Sequence, residues 1–166
     1  MMKMAEDDPT AYTNYAAVTF SSSARVNFKF LPYSTAANNM LQISYSGMST
    51  NTQAGLAEAK QLFEEPLSGR RFNSKKMVLL FTDGQSNEFR HLSIPKADAL
   101  KGIVVDIFMV AVGRYISGID EMVKVASSPP EKHVFRVEKN SAFWGGRQVG
   151  YPRSKPREIL RLKRRI

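Results

Sequence analysis

Two long, mostly apolar runs constrain the fold of this chain more than any other feature. Residues 77–81 (MVLLF) and 103–112 (IVVDIFMVAV) lack the strict polar alternation of a strand with one solvated face, so both runs predict strands that are buried on both faces. Residues 93–102 lie between them and have the start and stop residues of a short helix. A helix that joins two buried strands indicates a right-handed crossover and therefore a parallel sheet.

The first part of the chain predicts a different kind of strand pair. Residues 15–20 (YAAVTF) are mostly apolar, and residues 25–30 (RVNFKF) alternate strictly between polar and apolar side chains. The serine turn between them is too short for a crossover, so we expect these two strands to be antiparallel. The remaining predicted elements are helices after Ser34, over residues 52–65 and over residues 118–127, and a last strand over residues 132–137.

The net charge of +9 is concentrated near the end of the chain. Residues 145–166 hold eight of the 24 basic residues and one of the 15 acidic residues, which leaves a net charge of +2 for everything before them. A basic patch there is compatible with binding nucleic acid or an anionic membrane surface, and equally with a solvated end. We do not expect nucleic acid as the main partner, because only Tyr151 offers an aromatic ring nearby. The patch comprises Arg157, Arg161, Lys163, Arg164 and Arg165.

Composition and motifs argue against several classes of protein. No apolar run is long enough for a membrane span, no signal-peptide pattern is found at the start, and the chain has no cysteine. The sequence contains neither a Gly-x-Ser-x-Gly elbow nor a phosphate-binding glycine loop, so we expect no enzymatic activity. The enzymatic alternative is a hydrolase on a similar sheet, with Asp83 and His91 in a Ser-His-Asp set.

Two polar segments lie where a parallel sheet would bind a ligand. The run at residues 77–81 is followed by Thr82-Asp83-Gly84, and ligands bind beyond the carboxyl ends of such strands. Residues 47–52 (GMSTNT) place several hydroxyls at the start of a predicted helix. Each segment alone has an ordinary explanation, since Asp-Gly is a frequent turn and Ser or Thr a frequent helix N-cap. Together they also offer the oxygen ligands that Mg²⁺ takes, and Mg²⁺ keeps several of its waters in proteins.

Four segments, YSGMSTNTQAGL, TDGQSN, IVVDIFMVAVG and VASSPPEKHVF, follow one another along the chain. Their residues and order resemble the von Willebrand factor type A domain, and most closely the version in the sushi, EGF and pentraxin mosaic proteins. The resemblance covers residues 15–137. It implies an α/β fold with a three-layer, doubly wound, mostly parallel sheet and one antiparallel edge strand. It also implies an extracellular adhesion or matrix protein that binds other proteins.

The resemblance further implies a metal-ion-dependent adhesion site at the carboxyl edge of the sheet. Thr50 and Asp83 match two of the family's ligand positions, which implies that they hold Mg²⁺ or another divalent cation. Gly84, Gln85 and Ser86 would then face the partner, an extracellular protein whose carboxylate completes the coordination of the metal.

The chain departs from the family pattern at both ends. It has no Asp-x-Ser-x-Ser loop and no apolar strand before Tyr15, so the first, central strand of the family's sheet and the helix after it are missing. We therefore expect an incomplete metal site, with weak or absent binding, in a truncated domain. The expected organisation is a disordered segment at residues 1–14, a partial type A domain at residues 15–140 and a basic tail at residues 141–166.

Overall fold

The computed structural model describes residues 13–44, 49–113 and 117–137. Strands and helices follow one another in the predicted order, with an additional one-turn helix before the last strand. The strands are β1 (Asn14–Phe20), β2 (Ala24–Pro32), β3 (Lys76–Thr82), β4 (Val105–Val112) and β5 (Val134–Val137). The helices are α1 (Tyr33–Met40), α2 (Thr52–Glu64), α3 (Ser93–Gly102), α4 (Ile119–Val125) and α5 (Pro130–His133), and a 3₁₀ turn over Arg90–Leu92 precedes α3.

The strands form an antiparallel pair and a parallel three-stranded sheet. β1 pairs with β2 in antiparallel orientation. β3 pairs with β4 and β4 with β5, both in parallel orientation, and the order in that sheet is β3-β4-β5. This confirms the predicted α/β fold with a parallel sheet and an antiparallel hairpin. Among the described residues, β1 pairs only with β2 and β3 only with β4, so the two sheets stay separate where the resemblance implies a missing central strand.

One face of the parallel sheet forms the main core. Alternate residues of β4, Ile107 and Met109, are 0% and 1% exposed and pack against Leu56 of α2, Leu100 of α3 and Met122 of α4. Helices pack there because the two-residue period of a strand puts every second side chain on the same face. This layer of helices fixes how the carboxyl ends of the strands are placed relative to the start of α2.

The other face of the parallel sheet is less covered than the sequence predicts. Met77 and Phe81 of β3 are 48% and 39% exposed, so the prediction of a strand buried on both faces is wrong at these two positions. Phe135 of β5 is also 47% exposed. The one-turn helix α5 approaches this face through His133, whose ring centroid lies 4.6 Å from that of Phe108. An apolar run without alternation is compatible with burial of both faces of a strand. It does not show whether other elements of the fold pack against both faces.

Helix α2 connects the antiparallel pair to the main core. Phe30 of β2 stacks at a tilt on Phe63 of α2, with ring centroids 5.3 Å apart. The opposite side of the pair packs on α1, where Ala17, Phe28 and Ala36 form a second, smaller core. The antiparallel pair is therefore sandwiched between two helices, and α2 is shared with the parallel sheet.

Some predicted boundaries differ from the structure. Helix α1 begins at Tyr33 after Pro32 without a side-chain cap, so Ser34 does not cap it. Residues 103–104 end α3 rather than begin β4. The predicted last strand starts as α5, because Pro130 occupies the first turn of that helix, a position that proline favours.

Several predictions concern residues outside the described ranges. These are residues 1–12 of the predicted disordered segment and the basic tail with its patch at Arg157, Arg161, Lys163, Arg164 and Arg165. None of the helices in the described ranges is long and apolar enough to cross a membrane.

Candidate functional site

The carboxyl ends of β1 and β3 are linked through the segment that starts α2. The Asn51 amide donates to the Ser21 carbonyl, which follows β1, over 2.8 Å. The Asn87 amide, which follows β3, donates to the Thr50 carbonyl over 3.0 Å. Residues 49–52 therefore lie between the two strand ends, and they bring together the two polar segments that the sequence singles out.

The backbone of Thr50 is held from both sides by the segment after β3. Its amide donates to Asn87 Oδ1 over 2.7 Å, and its carbonyl also accepts from Ser86 Oγ over 2.9 Å. The cap of α2 is Asn51, whose Oδ1 accepts from the Ala54 amide over 3.2 Å and whose Nδ2 donates to the Ser22 carbonyl over 2.9 Å. Because an amide side chain does the capping, the N-cap explanation does not account for the hydroxyl of Thr50.

Asp83 lies at the end of β3 with an exposed side chain. The turn that presents it is fixed by Thr82, whose Oγ1 donates to the Gly84 carbonyl over 2.8 Å. Among the hydrogen bonds and ion pairs of the described residues, none involves the Asp83 carboxylate. The carboxylate therefore keeps its oxygens available for a ligand from outside the domain.

Ser86 is buried at the centre of this network, with 3% of its surface exposed. Its single hydroxyl hydrogen is shared between the Thr50 and Glu88 carbonyls, 2.9 and 2.8 Å away, and its oxygen accepts from the Thr52 amide over 3.3 Å. Its own amide donates to Glu121 Oε2 over 3.2 Å. Of the three predicted partner-binding residues, Gln85 is exposed, Gly84 is half-buried and Ser86 is inside the loop.

Glu121 on α4 accepts a hydrogen bond from the loop, and the sequence did not predict it as a residue of the site. It is 6% exposed, and its Oε2 also accepts from Arg90 Nε over 3.0 Å, while Oε1 has no hydrogen-bond partner among the described residues. An acidic residue in the first turn of a helix is usually a surface residue that complements the helix dipole. The sequence pattern therefore gives no indication that this carboxylate is buried.

Gly118, the residue before α4, packs directly against the same loop. Its φ is +76°, and a Cβ placed on it would lie 2.2 Å from Gln85 Cβ. Residues 83–87 are therefore enclosed between the start of α2 on one side and the start of α4 on the other. The loop that carries Asp83 is therefore held by contacts on both sides.

The chemistry of this edge is that of a small oxygen-ligand site. Thr50 and Asp83 offer a hydroxyl and a carboxylate, and the described residues contain no cluster of three or more His, Cys, Asp or Glu side chains that could hold a metal alone. His133 contacts the Pro129 carbonyl through Nδ1 over 3.0 Å. Among the described residues, no hydrogen bond joins His91 to Asp83, although a Ser-His-Asp set would need one.

Comparison with known proteins identifies the family. Residues 3–144 match the family model of the von Willebrand factor type A domain. The chain belongs to this family. A curated relative, von Willebrand factor A domain-containing protein 1 of Rattus norvegicus, is 35% identical over 126 residues, which are 73% of this chain and 29% of that protein.

A second relative confirms the subgroup that the sequence resembles. Sushi, von Willebrand factor type A, EGF and pentraxin domain-containing protein 1 of Mus musculus is 30% identical over 153 residues, which are 85% of this chain and 4% of that protein. The chain thus spans less than a third of the length of either relative. Among solved structures, one similar chain is proximal thread matrix protein 1 from the mussel byssus, with a zinc-occupied metal-ion-dependent adhesion site (MIDAS) motif. Its TM-score is 0.65 at 23% identity, over 82% of this chain and 34% of that one. That similarity shows the type A fold.

Proposed function

We propose that this type A domain is a protein-interaction module that binds its partner at the edge formed by the carboxyl ends of β1 and β3. Thr50 and Asp83 hold a divalent cation there, Mg²⁺ in the first instance, and a carboxylate of an extracellular partner completes the coordination. The observation that carries the proposal is the Asp83 carboxylate, which is exposed on a hydrogen-bonded turn and takes part in none of the described hydrogen bonds or ion pairs.

The ligand chemistry favours a cation that tolerates few protein ligands. Mg²⁺ keeps several waters and is often bound through one or two carboxylates, with the remaining positions filled by a bound partner. Asp83 and the Thr50 hydroxyl would supply two oxygens, and the waters left on the metal are the positions that a partner's carboxylate can take. When bound, the cation supplies a positive charge that attracts such a carboxylate.

The cation should bind weakly before the partner arrives. The Asp-x-Ser-x-Ser loop of the family is absent from these 166 residues, so fewer protein oxygens are available than in a complete adhesion site. We expect a dissociation constant for Mg²⁺ of about 1 mM or weaker, because extracellular Ca²⁺ modules with more protein ligands bind their ion with about 0.1–1 mM.

The proposed partner surface follows from the exposures of the loop. Gln85 and Asp83 are exposed and Gly84 is half-buried, so these three can touch a partner directly. Ser86 acts by holding the loop against Thr50 and Thr52. The zinc-occupied MIDAS motif of the mussel byssus protein supports the same kind of site, and that protein's description as a thread matrix protein supports an extracellular location.

Calorimetric titration of the whole chain with Mg²⁺ tests this proposal. We expect saturable binding that is lost in Asp83→Asn and weakened in Thr50→Val, both of which nearly preserve side-chain shape. The matched control is Asp106→Asn, which changes another exposed aspartate near the opposite end of the parallel sheet and should leave binding unchanged. Equal loss in both aspartate variants, or full binding in Asp83→Asn, would exclude the proposed site.

The basic tail remains a sequence-based prediction of a second function, binding to nucleic acid or an anionic membrane surface. Its residues lie outside the described ranges, so the function proposed above rests on the edge of the sheet alone.

A further inference from the structure

The edge opposite the candidate site carries features that the proposed function does not use. Two connections lie there, residues 65–75 before β3 and residues 103–104 before β4. The amino ends of parallel strands meet at one edge of a sheet, so both connections reach the same surface. They are joined by Lys76, whose Nζ donates to the Ile103 carbonyl over 2.7 Å. We name residues 66–76 together with Val104 the basal edge.

The basal edge exposes the most solvent-accessible large apolar side chains of the described residues. Leu67, Phe72 and Val104 are 86%, 85% and 83% exposed, and the next, Leu41, is 79% exposed and lies elsewhere in the fold. Single exposed apolar residues are normal on protein surfaces. Three at one edge form the kind of apolar surface that marks contact with a protein or a membrane.

The same edge is strongly cationic. Residues 66–76 contain Arg70, Arg71, Lys75 and Lys76 and no acidic residue. The acidic residues just before them, Glu64 and Glu65, are paired with Lys60 and Lys29. Within the described residues none of the four basal cations forms an ion pair with a carboxylate, so their charges are not cancelled locally.

The loop is anchored, so the exposure of its apolar side chains is a property of the fold. Ser68 is 1% exposed, and its carbonyl accepts from the Phe30 amide over 2.9 Å. The Gly69 carbonyl accepts from Asn14 Nδ2 over 3.1 Å, and a Cβ at Gly69 would lie 2.4 Å from the Phe30 carbonyl oxygen. Because these contacts hold the middle of the loop against β1 and β2, the flanking Leu67 and Phe72 are directed away from the body of the domain.

We propose that the basal edge is a peripheral membrane-binding surface that recognises bilayers containing anionic lipid. Arg71 and Lys75, the two exposed cations of this edge, would bind the headgroups, and the three apolar side chains would enter the boundary between headgroups and acyl chains, where apolar side chains gain from burial. Sulfated polysaccharides and nucleic acids offer the anions without an apolar phase, so the three exposed apolar side chains favour the bilayer. Bound in this way, the domain presents the Asp83 edge away from the membrane.

Co-sedimentation of the full chain with vesicles tests this inference. We expect binding to vesicles of phosphatidylcholine with phosphatidylserine and much weaker binding to phosphatidylcholine alone. Leu67→Ser should lower the partition coefficient by about tenfold, and Arg71→Gln by about fivefold, the effect of one cation near an anionic surface. The matched controls, Leu41→Ser and Arg25→Gln, change an equally exposed leucine and an exposed arginine outside the basal edge and should leave binding unchanged.

Three outcomes would overturn the inference. The first is no binding to either kind of vesicle. The second is binding that the basal variants and the controls affect equally, which would assign it to the basic tail, since every variant retains that tail. The third is retention on heparin that depends on Arg71 but with no effect of Leu67→Ser on vesicle binding, which would identify a polyanion site. Thermal melting of each variant confirms that folding is unchanged, as expected for side chains this exposed.

Discussion

Replacing Gly118 with alanine tests the structural basis of the candidate site most severely. The backbone of Gly118 has φ +76°, a conformation that costs an L-residue about 1–2 kcal/mol. The new Cβ would also lie 2.2 Å from Gln85 Cβ and 2.8 Å from Gln85 Cα, and relief of such an overlap costs roughly 1–3 kcal/mol. The expected loss of unfolding free energy is therefore about 2–5 kcal/mol, a large part of the stability of an ordinary domain.

Two other glycines separate the backbone cost from the steric cost. Gly113→Ala has no described atom within 4 Å and therefore no steric cost, but its φ of +131° lies outside the αL region, so its backbone cost should be at least that of Gly118→Ala. Gly102→Ala also has no atom within 4 Å and needs no positive φ, so at the end of α3 it should be neutral or stabilise by up to about 1 kcal/mol. Urea denaturation followed by circular dichroism gives the three values. If Gly118→Ala loses no more than the αL backbone cost of about 1–2 kcal/mol, the loop is not packed against α4 as described.

The remaining predictions concern single side chains. Ser86→Ala should lower the unfolding free energy by about 1–3 kcal/mol because the Thr52 amide loses its acceptor. It should also weaken Mg²⁺ binding in the calorimetric titration. The control is Ser127→Ala, which removes the acceptor of the Ile107 amide and should destabilise the fold without affecting Mg²⁺ binding. Val104→Gly should raise the unfolding free energy by about 1 kcal/mol, and with it the melting temperature, because Val104 has φ +60° at the end of α3, where glycine is preferred. It should also lower vesicle binding. An unchanged or lower melting temperature would contradict this prediction. Burial raises the pKa of Tyr15 above its usual value of 10.0, and its hydrogen bond with Thr13 has a smaller, opposing effect. The unfolded chain therefore loses the phenol proton at a lower pH than the folded chain does, so the unfolding free energy should fall as pH rises above about 10. The fall should be less steep in Tyr15→Phe.

The parallel sheet could be predicted from the sequence because its strands are long apolar runs separated by a helix with recognisable start and stop residues. Ser93 and Gly102 mark that helix correctly at both ends. What the runs could not show is which side of the sheet is covered. Met77 and Phe81 look as apolar as Leu80, yet they are far more exposed, because coverage depends on which helices pack there.

The candidate site could be located from the sequence but not described. Asp83 follows a buried strand, and that position alone places it at the carboxyl edge of the sheet. At the start of α2, by contrast, Ser49, Thr50, Asn51 and Thr52 can all cap a helix, so the pattern could not select Asn51. The contact of Glu121 with Ser86 joins residues 35 positions apart, and no local pattern encodes it.

The central claim is that a cation binds between Thr50 and Asp83, and paramagnetic broadening of amide resonances tests it most directly. The isotope-labelled chain is titrated with Mn²⁺ in place of Mg²⁺, and the loss of each amide signal reports its proximity to the metal. We predict that the amides of residues 49–52 and 83–87 broaden first, that excess Mg²⁺ restores them, and that those of the basal edge are unaffected. Broadening that begins elsewhere, or that is unchanged in Asp83→Asn, would contradict the account.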